Sequence, residues 1–349
     1  MNKLTKIGCS ALCGSLSAIS AANAGDLTVT GGADLTFTSL SSQVTGNPIG
    51  MGSNYTLKGD GELDNGWAFS LSIANTNANA FSATTVNLDM GGLGSLNIDQ
   101  GSSSNGIDAF DDVMPTAWEE PWGAGLSTGI RLISGIGKSM NVQYTAPSAF
   151  GTTFAVALAP DMGATDTNDK GTSGDTTGGK GHGVDFRFKS NVSLGTEILS
   201  GLNIYGGGHM TEVRNNNSTT ESDTFEAVGA VTYALGPVEI GWQISGEYLG
   251  EENTHAYNAY KNHAFGVAFN VNDDLSISYG THQSRKAGYN GSNAQSGTPA
   301  SRLVKVNSLQ AAYTMGGASI RIADVDADNV TFSAGTQRSA TIVSLGLAF

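Results

Sequence analysis

Large apolar residues in this chain recur at every second position, segment after segment, from Leu27 to the last residue. In "DLTVTGGADLTFTS", Leu27, Val29, Ala33, Leu35 and Phe37 share one side, and Thr28, Thr30, Asp34 and Thr36 share the other. "GWAFSLSIANT" sets Trp67, Phe69, Leu71 and Ile73 against Ala68, Ser70 and Ser72, and "VEIGWQISGEY" sets Val238, Ile240, Trp242 and Ile244 against Glu239, Gln243, Ser245 and Glu247. The closing "TIVSLGLAF" puts Thr341, Val343, Leu345, Leu347 and Phe349 on one face. A β-strand points successive side chains to opposite faces, so a period of two restricts the fold to one built of half-oily strands.

Sixteen such segments are predicted, at 27–38, 52–63, 66–76, 82–90, 94–100, 138–146, 151–159, 182–191, 200–212, 223–235, 237–249, 261–271, 274–284, 302–314, 317–326 and 339–349. Most have the length a tilted strand needs to cross a bilayer. After odd-numbered segments the connections are mostly long and polar; after even-numbered ones they are mostly tight. The tight ones include Asp64-Asn65-Gly66, Gly236-Pro237 and Gly316-Gly317, the chemistry of hairpin turns that need positive φ.

The start of the chain reads as a secretory leader. Lys3 and Lys6 precede a small apolar stretch, and Ala22-Asn23-Ala24 fits a small-residue cleavage site. The expected division is therefore a leader at 1–24 and one domain at 25–349. Both cysteines, Cys9 and Cys13, fall in the leader, without the spacing of a lipidation signal, so the exported part is expected to be held together without disulfides. With 31 acidic against 17 basic residues, no basic patch is available to neutralise phosphates, which argues against nucleic acid as a partner. After the leader no apolar run is long enough for a transmembrane helix.

An exported chain whose strands all carry one oily and one polar face fits an all-β, transmembrane, antiparallel up-and-down β-barrel of 16 strands. Long loops lie outside, short turns lie in the periplasm, and closure leaves no unpaired edge in hydrocarbon. Phe349, with Trp67, Tyr144, Tyr233 and Tyr313, would then form an aromatic girdle at the turn end. A soluble sandwich, such as a secreted adhesin or surface-layer component, also alternates. It would need a second sheet to cover each of the sixteen oily faces.

The leader, "LTVTGGADLTF", "GELDNGWAFSLSI", "VNLDMGGLGSLNIDQG", "VQYTAP" followed by "FGTTFAVAL", and "ATIVSLGLAF" stand in an order and spacing that resemble the general diffusion porins of Gram-negative bacteria. The resemblance covers the whole exported chain. It implies a homotrimeric outer-membrane barrel and a water-filled channel narrowed by an inward-folded third loop. The implied partners are the lipid bilayer with its lipopolysaccharide, the outer-membrane assembly machinery acting through the C-terminal strand, and small hydrophilic solutes and ions.

The longest connection, 101–137, matches that loop in position. It carries Phe110, Trp118 and Trp122, too many large apolar groups for a freely solvated segment, together with Asp108, Asp111, Asp112, Glu119 and Glu120. These carboxylates are the candidates for the constriction. On the walls, strand parity turns Lys58, Asp60, Glu62, Asp99, Arg187, Lys189 and Arg321 inward, and Arg131 approaches from the loop's return. The porins of the resemblance oppose an acidic loop with an arginine cluster. Here the bases are few, so the expectation is a net negative lumen and a weak preference for cations. The alternative within barrels, a channel specific for a sugar, organic acid or peptide, would need a continuous aromatic or basic ladder.

No enzyme motif emerges. "GIGKS" has Leu132 where a phosphate loop needs its first glycine, and "DVDADN" lacks the glycine and glutamate of an EF-hand. His182, His209, His255, His263 and His282 have no ligand spacing; His209 and His282 are expected to line the pore. No cofactor and no metal are expected; a loose hold on Ca²⁺ by loop carboxylates is left as the alternative.

Overall fold

The structure, a computed structural model, describes residues 24–40, 47–77, 83–102, 104–123, 125–162, 180–191, 199–213, 223–250, 257–288 and 302–348. Sixteen antiparallel strands close into one barrel. They are β1 Ala24–Leu40, β2 Ile49–Glu62, β3 Ala68–Thr76, β4 Ala83–Asp89, β5 Ser95–Gln100, β6 Met140–Thr145, β7 Thr152–Ala159 and β8 Lys180–Asn191. The second half comprises β9 Leu202–Val213, β10 Thr224–Leu235, β11 Val238–Tyr248, β12 Tyr257–Asn270, β13 Leu275–Gly288, β14 Arg302–Met315, β15 Ala318–Asp328 and β16 Gln337–Ala348. Each strand pairs with its neighbours in sequence. The seam joins the two ends of the chain, with Leu35 opposite Leu345 and Thr36 opposite Ser344.

Every segment predicted from alternation is a strand. The largest boundary differences are at β12 and β13, which run further into the loop end than alternation suggested, to Tyr257 and Gly288. The leader up to Asn23, and Phe349, lie outside the described residues. The turns work as their glycines require: Gly236 and Gly316 each sit at φ 57°, a conformation that costs other residues dearly.

The outer face is oily around the wall, with Phe69, Phe154, Phe186, Trp242, Phe265 and Tyr313 all exposed. Tyr144, Tyr233 and Tyr313 lie near the turn ends of β6, β10 and β14, and Trp67 lies in the turn before β3. The Tyr144 hydroxyl donates to the Leu93 carbonyl at 2.8 Å.

One region departs from the expected segregation of oily outside and polar inside. On the loop-side half of β14–β16 the buried inward residues are Val304, Val306, Ala323, Val325, Ala327, Ala340 and Ile342. Their outward neighbours are Lys305, Asn307, Asp324, Asp326 and Thr341. The reason is what fills the barrel there. Leu126 from the long loop and Val330 from the connection before β16 complete an apolar cluster with those inward residues, so the inward face is a core rather than a wetted wall.

Candidate functional site

The connection between β5 and β6 folds into the barrel and follows its inner wall. Its root is fixed by Asp99 on β5, whose carboxylate accepts from the Ser102 N–H and Oγ at 2.8 Å each. Asn105 then donates to Asn97 and Asn141. Over the 3-10 turn Gly106–Phe110 the loop reaches β8, where Asp185 accepts the Ile107 N–H at 2.7 Å. The same Asp185 oxygen accepts the returning Ile136 N–H at 3.3 Å, and its other oxygen meets His209 Nδ1 at 2.5 Å. One buried carboxylate on the wall thus holds both limbs of the loop, satisfying N–H groups that would otherwise be orphaned inside the barrel.

Further round, Gln243 on β11 donates to the Phe110 and Asp111 carbonyls and accepts the Val113 N–H. The next segment lies flush on the wall because glycines make room. A Cβ on Gly241 would stand 2.6 Å from Pro115 Cδ, and one on Gly266 would stand 2.7 Å from the Pro115 carbonyl oxygen. Gln310 on β14 holds the tip, accepting the Trp118 and Glu119 N–H groups at 3.2 and 3.0 Å. On the return, Arg338 donates to the Leu126 carbonyl, Arg131 makes a two-pronged bond to Glu247 at 2.6 and 2.8 Å, and Glu226 accepts the Ser134 and Gly135 N–H groups.

These anchors run from β5 round to β16. The first strands are left facing open space, with the Lys58–Asp60 ion pair, at 3.0 Å, about half exposed and Glu62 exposed at the turn end. Against β1 and β16 lie two cavities at successive levels. One, of 690 Å³, is bounded by Thr30, Asp34, Asn54, Thr56, Ser319 and Arg321; the other, of 220 Å³, by Thr36, Thr38, Trp118, Glu119, Glu120 and Gln310. Between those levels Arg321 donates to Asp34 at 3.0 Å and its guanidinium lies 5.9 Å from the centre of the Trp118 ring. The Glu119 carboxyl feels the charges of both, Arg321 lowering it and Asp34 raising it. The loop tip and the seam of the barrel therefore meet at a ring of Trp118, Glu119, Glu120, Asp34 and Arg321.

The electrostatics of the ring follow from crowding. The Glu119 carboxyl is pushed up to about 8, first by burial and then by its hydrogen bond and charge repulsion with Glu120, with Arg321 opposing. Burial also raises Asp111, and takes Asp112 to about 7.

The sequence-predicted residues separate into two groups. Glu119, Glu120, Arg321, Lys58 and Asp60 border open space, and Lys189 is exposed above the Tyr205 ring at 5.2 Å. Asp99 and Asp108 are enclosed, at 0 and 6 % exposure, and the Asp112 side chain is 3 % exposed. Arg187 is tucked under the loop, donating to the Gly106 carbonyl at 2.9 Å with its guanidinium over Phe110. His209 and His282 are likewise buried behind the loop rather than lining a pore. The expectation that all these groups face the bore is thereby corrected: the loop covers the wall that carries Asp99, Arg187, His209 and His282, and its own Asp108 and Asp112 are enclosed as it packs there. Arg131 is engaged by Glu247. Asp185, Glu226, Gln243 and Gln310, which hold the loop, carry no local motif that marks them as a set, and the alternation that groups Asp34 with the polar residues says nothing of its partner Arg321.

A scan against protein-family models and a search of curated proteins find no match. Solved structures do match. The Salmonella typhi OmpF complex with daunomycin aligns with a TM-score of 0.64 at 12% identity, covering 93% of this chain and 97% of that one. An anion-selective porin from Comamonas acidovorans gives 0.59 at 12% identity over 93% and 99%. The trimer form of Vibrio cholerae OmpT, an outer-membrane protein, gives 0.62 at 12% identity over 94% and 100%. At these identities the likeness is one of fold, and with the closed sixteen-strand barrel and its inward loop it shows that this chain has the fold of the outer-membrane porins.

Proposed function

We propose that this chain forms a passive, water-filled channel across the bacterial outer membrane for ions and small hydrophilic solutes, with a weak preference for cations. The observation that carries this reading is the pair of cavities along β1 and β16, separated by a ring holding three carboxylates and one guanidinium. An excess of acid at this ring favours cations and repels anions, an effect that salt screens. Export through the N-terminal leader, the greasy outer face and the porin fold support an outer-membrane location.

A homotrimer, contact with lipopolysaccharide and assembly through the C-terminal strand belong to the same proposal. Reversal potentials in planar bilayers under a salt gradient test it. Cation preference, lost in Glu119→Gln with Glu120→Gln, is the expected result. Anion preference would mean that the wall bases govern the field, and absence of conductance would end the channel reading.

A further inference from the structure

Behind the inward loop, Asp112 and His282 face each other without being bonded. Asp112 Oδ2 and His282 Nε2 are 3.7 Å apart, and the two side chains are 3% and 2% exposed. Asp112 Oδ1 accepts the Met114 N–H at 2.9 Å, but Oδ2 has no hydrogen-bond partner, and neither has either ring nitrogen of His282. The Trp122 indole N–H is close enough to steady the carboxylate yet makes no bond of proper geometry. Orphaned polar atoms this deep are costly, and so close to one another they call for a shared occupant.

We infer that Asp112 and His282 together hold one proton, and that this proton keeps the inward loop seated on the wall. Charge counting gives the reason. With one proton between carboxylate and imidazole the pair is neutral overall, whether written as acid and imidazole or as carboxylate and imidazolium. Without it, a bare carboxylate is left in an enclosed site. Its charged neighbours on the loop are Asp111 and Glu120, both of which raise it further. From β13 it faces only the imidazole. The inward positions nearest His282 on β12 and β14 are Asn262, Ala264 and Val306, none of which carries charge. Loss of the proton therefore favours lifting this part of the loop toward water, and the shift of Asp112 to about 7 puts the change near neutrality. The seated loop belongs to the acid side and the lifted loop to the alkaline side.

This inference rests on the channel reading only for its electrical readout. The test uses the purified full-length barrel in detergent and in planar bilayers, titrated across about pH 7. In detergent, Trp122 fluorescence, taken as the difference between the native chain and Trp122→Phe, should change in one step. In bilayers, conductance and open-channel noise should change over the same interval. Asp112→Asn, neutral at every pH, should lose both steps and keep the acid-side signal. His282→Gln should displace or abolish them. A fluorescence step that persists in folded Asp112→Asn, or stays unshifted in folded His282→Gln, would overturn the proposal, as would its absence from the native chain. If no channels form, the porin reading fails, and the fluorescence arm still decides the fate of the proton seat. A change of gel migration on heating marks a folded barrel, so a variant that lacks it has not folded, and the other variant then carries the test.

Discussion

Glu119 shows how much of this site depends on single groups. Its carboxyl, raised to about 8 by burial and by Glu120, is neutral on the acid side of that value and charged on the alkaline side. The cation preference should therefore grow as pH climbs through about 8, and reversal potentials across that range in native protein and Glu119→Gln measure it; the variant should lack the rise. The sign for stability is opposite. A carboxyl raised in the folded state holds a proton that the unfolded chain has released, so Glu119 and Asp112 contribute stability that declines as pH rises from the ordinary carboxylate range. Gln310 works through geometry alone. Removing its amide in Gln310→Ala strands the Glu119 N–H at the loop tip and leaves the Trp118 N–H with only its 3.3 Å bond to Thr116 Oγ1, at a cost of about 1–3 kcal/mol. Denaturant titration should register the loss, and single-channel recordings should gain noise.

At the scale of elements, the strands were legible and the loop's bed was not. Alternation, length and turn glycines are local properties, so all sixteen strands could be read from "GWAFSLSIANT" or "VEIGWQISGEY" without knowing their neighbours. Parity also turned Asp99 and Arg187 inward. It could not tell that the loop would lie over them, because facing inward and facing water are separate facts when another segment packs on the wall. Apolar residues in an acidic loop did predict that the loop needs a surface; the surface itself is written in the small residues of distant strands. Gly241 and Gly266 are the clearest case. Gly241→Val would drive a branched side chain into Pro115, and overpacking of this kind costs about 1–3 kcal/mol. The expected outcome is a barrel that still forms, with lowered unfolding temperature and altered conductance because Met114 and Pro115 are displaced into the bore.

For the molecule as a whole, the reversal of polarity on β14–β16 reaches beyond the lumen. On β11 the outward residues stay greasy from Val238 to Tyr248, 11 residues, or about 25–30 Å of height for a tilted strand. On β15 the same face is greasy only from Ala318 to Ile322 before Asp324 and Asp326 intervene, or about 13 Å. A lipid skirt of such unequal width cannot match a slab of uniform thickness on every side. Either the cylinder leans toward β15 or the outer leaflet dips beside it, and both responses favour thin membranes. Replacing Asp324 and Asp326 with leucine should shift the optimum for insertion and heat resistance toward longer acyl chains, a comparison that vesicles of graded chain length make directly. The chain length of the surrounding lipid then bears directly on how upright this cylinder stands.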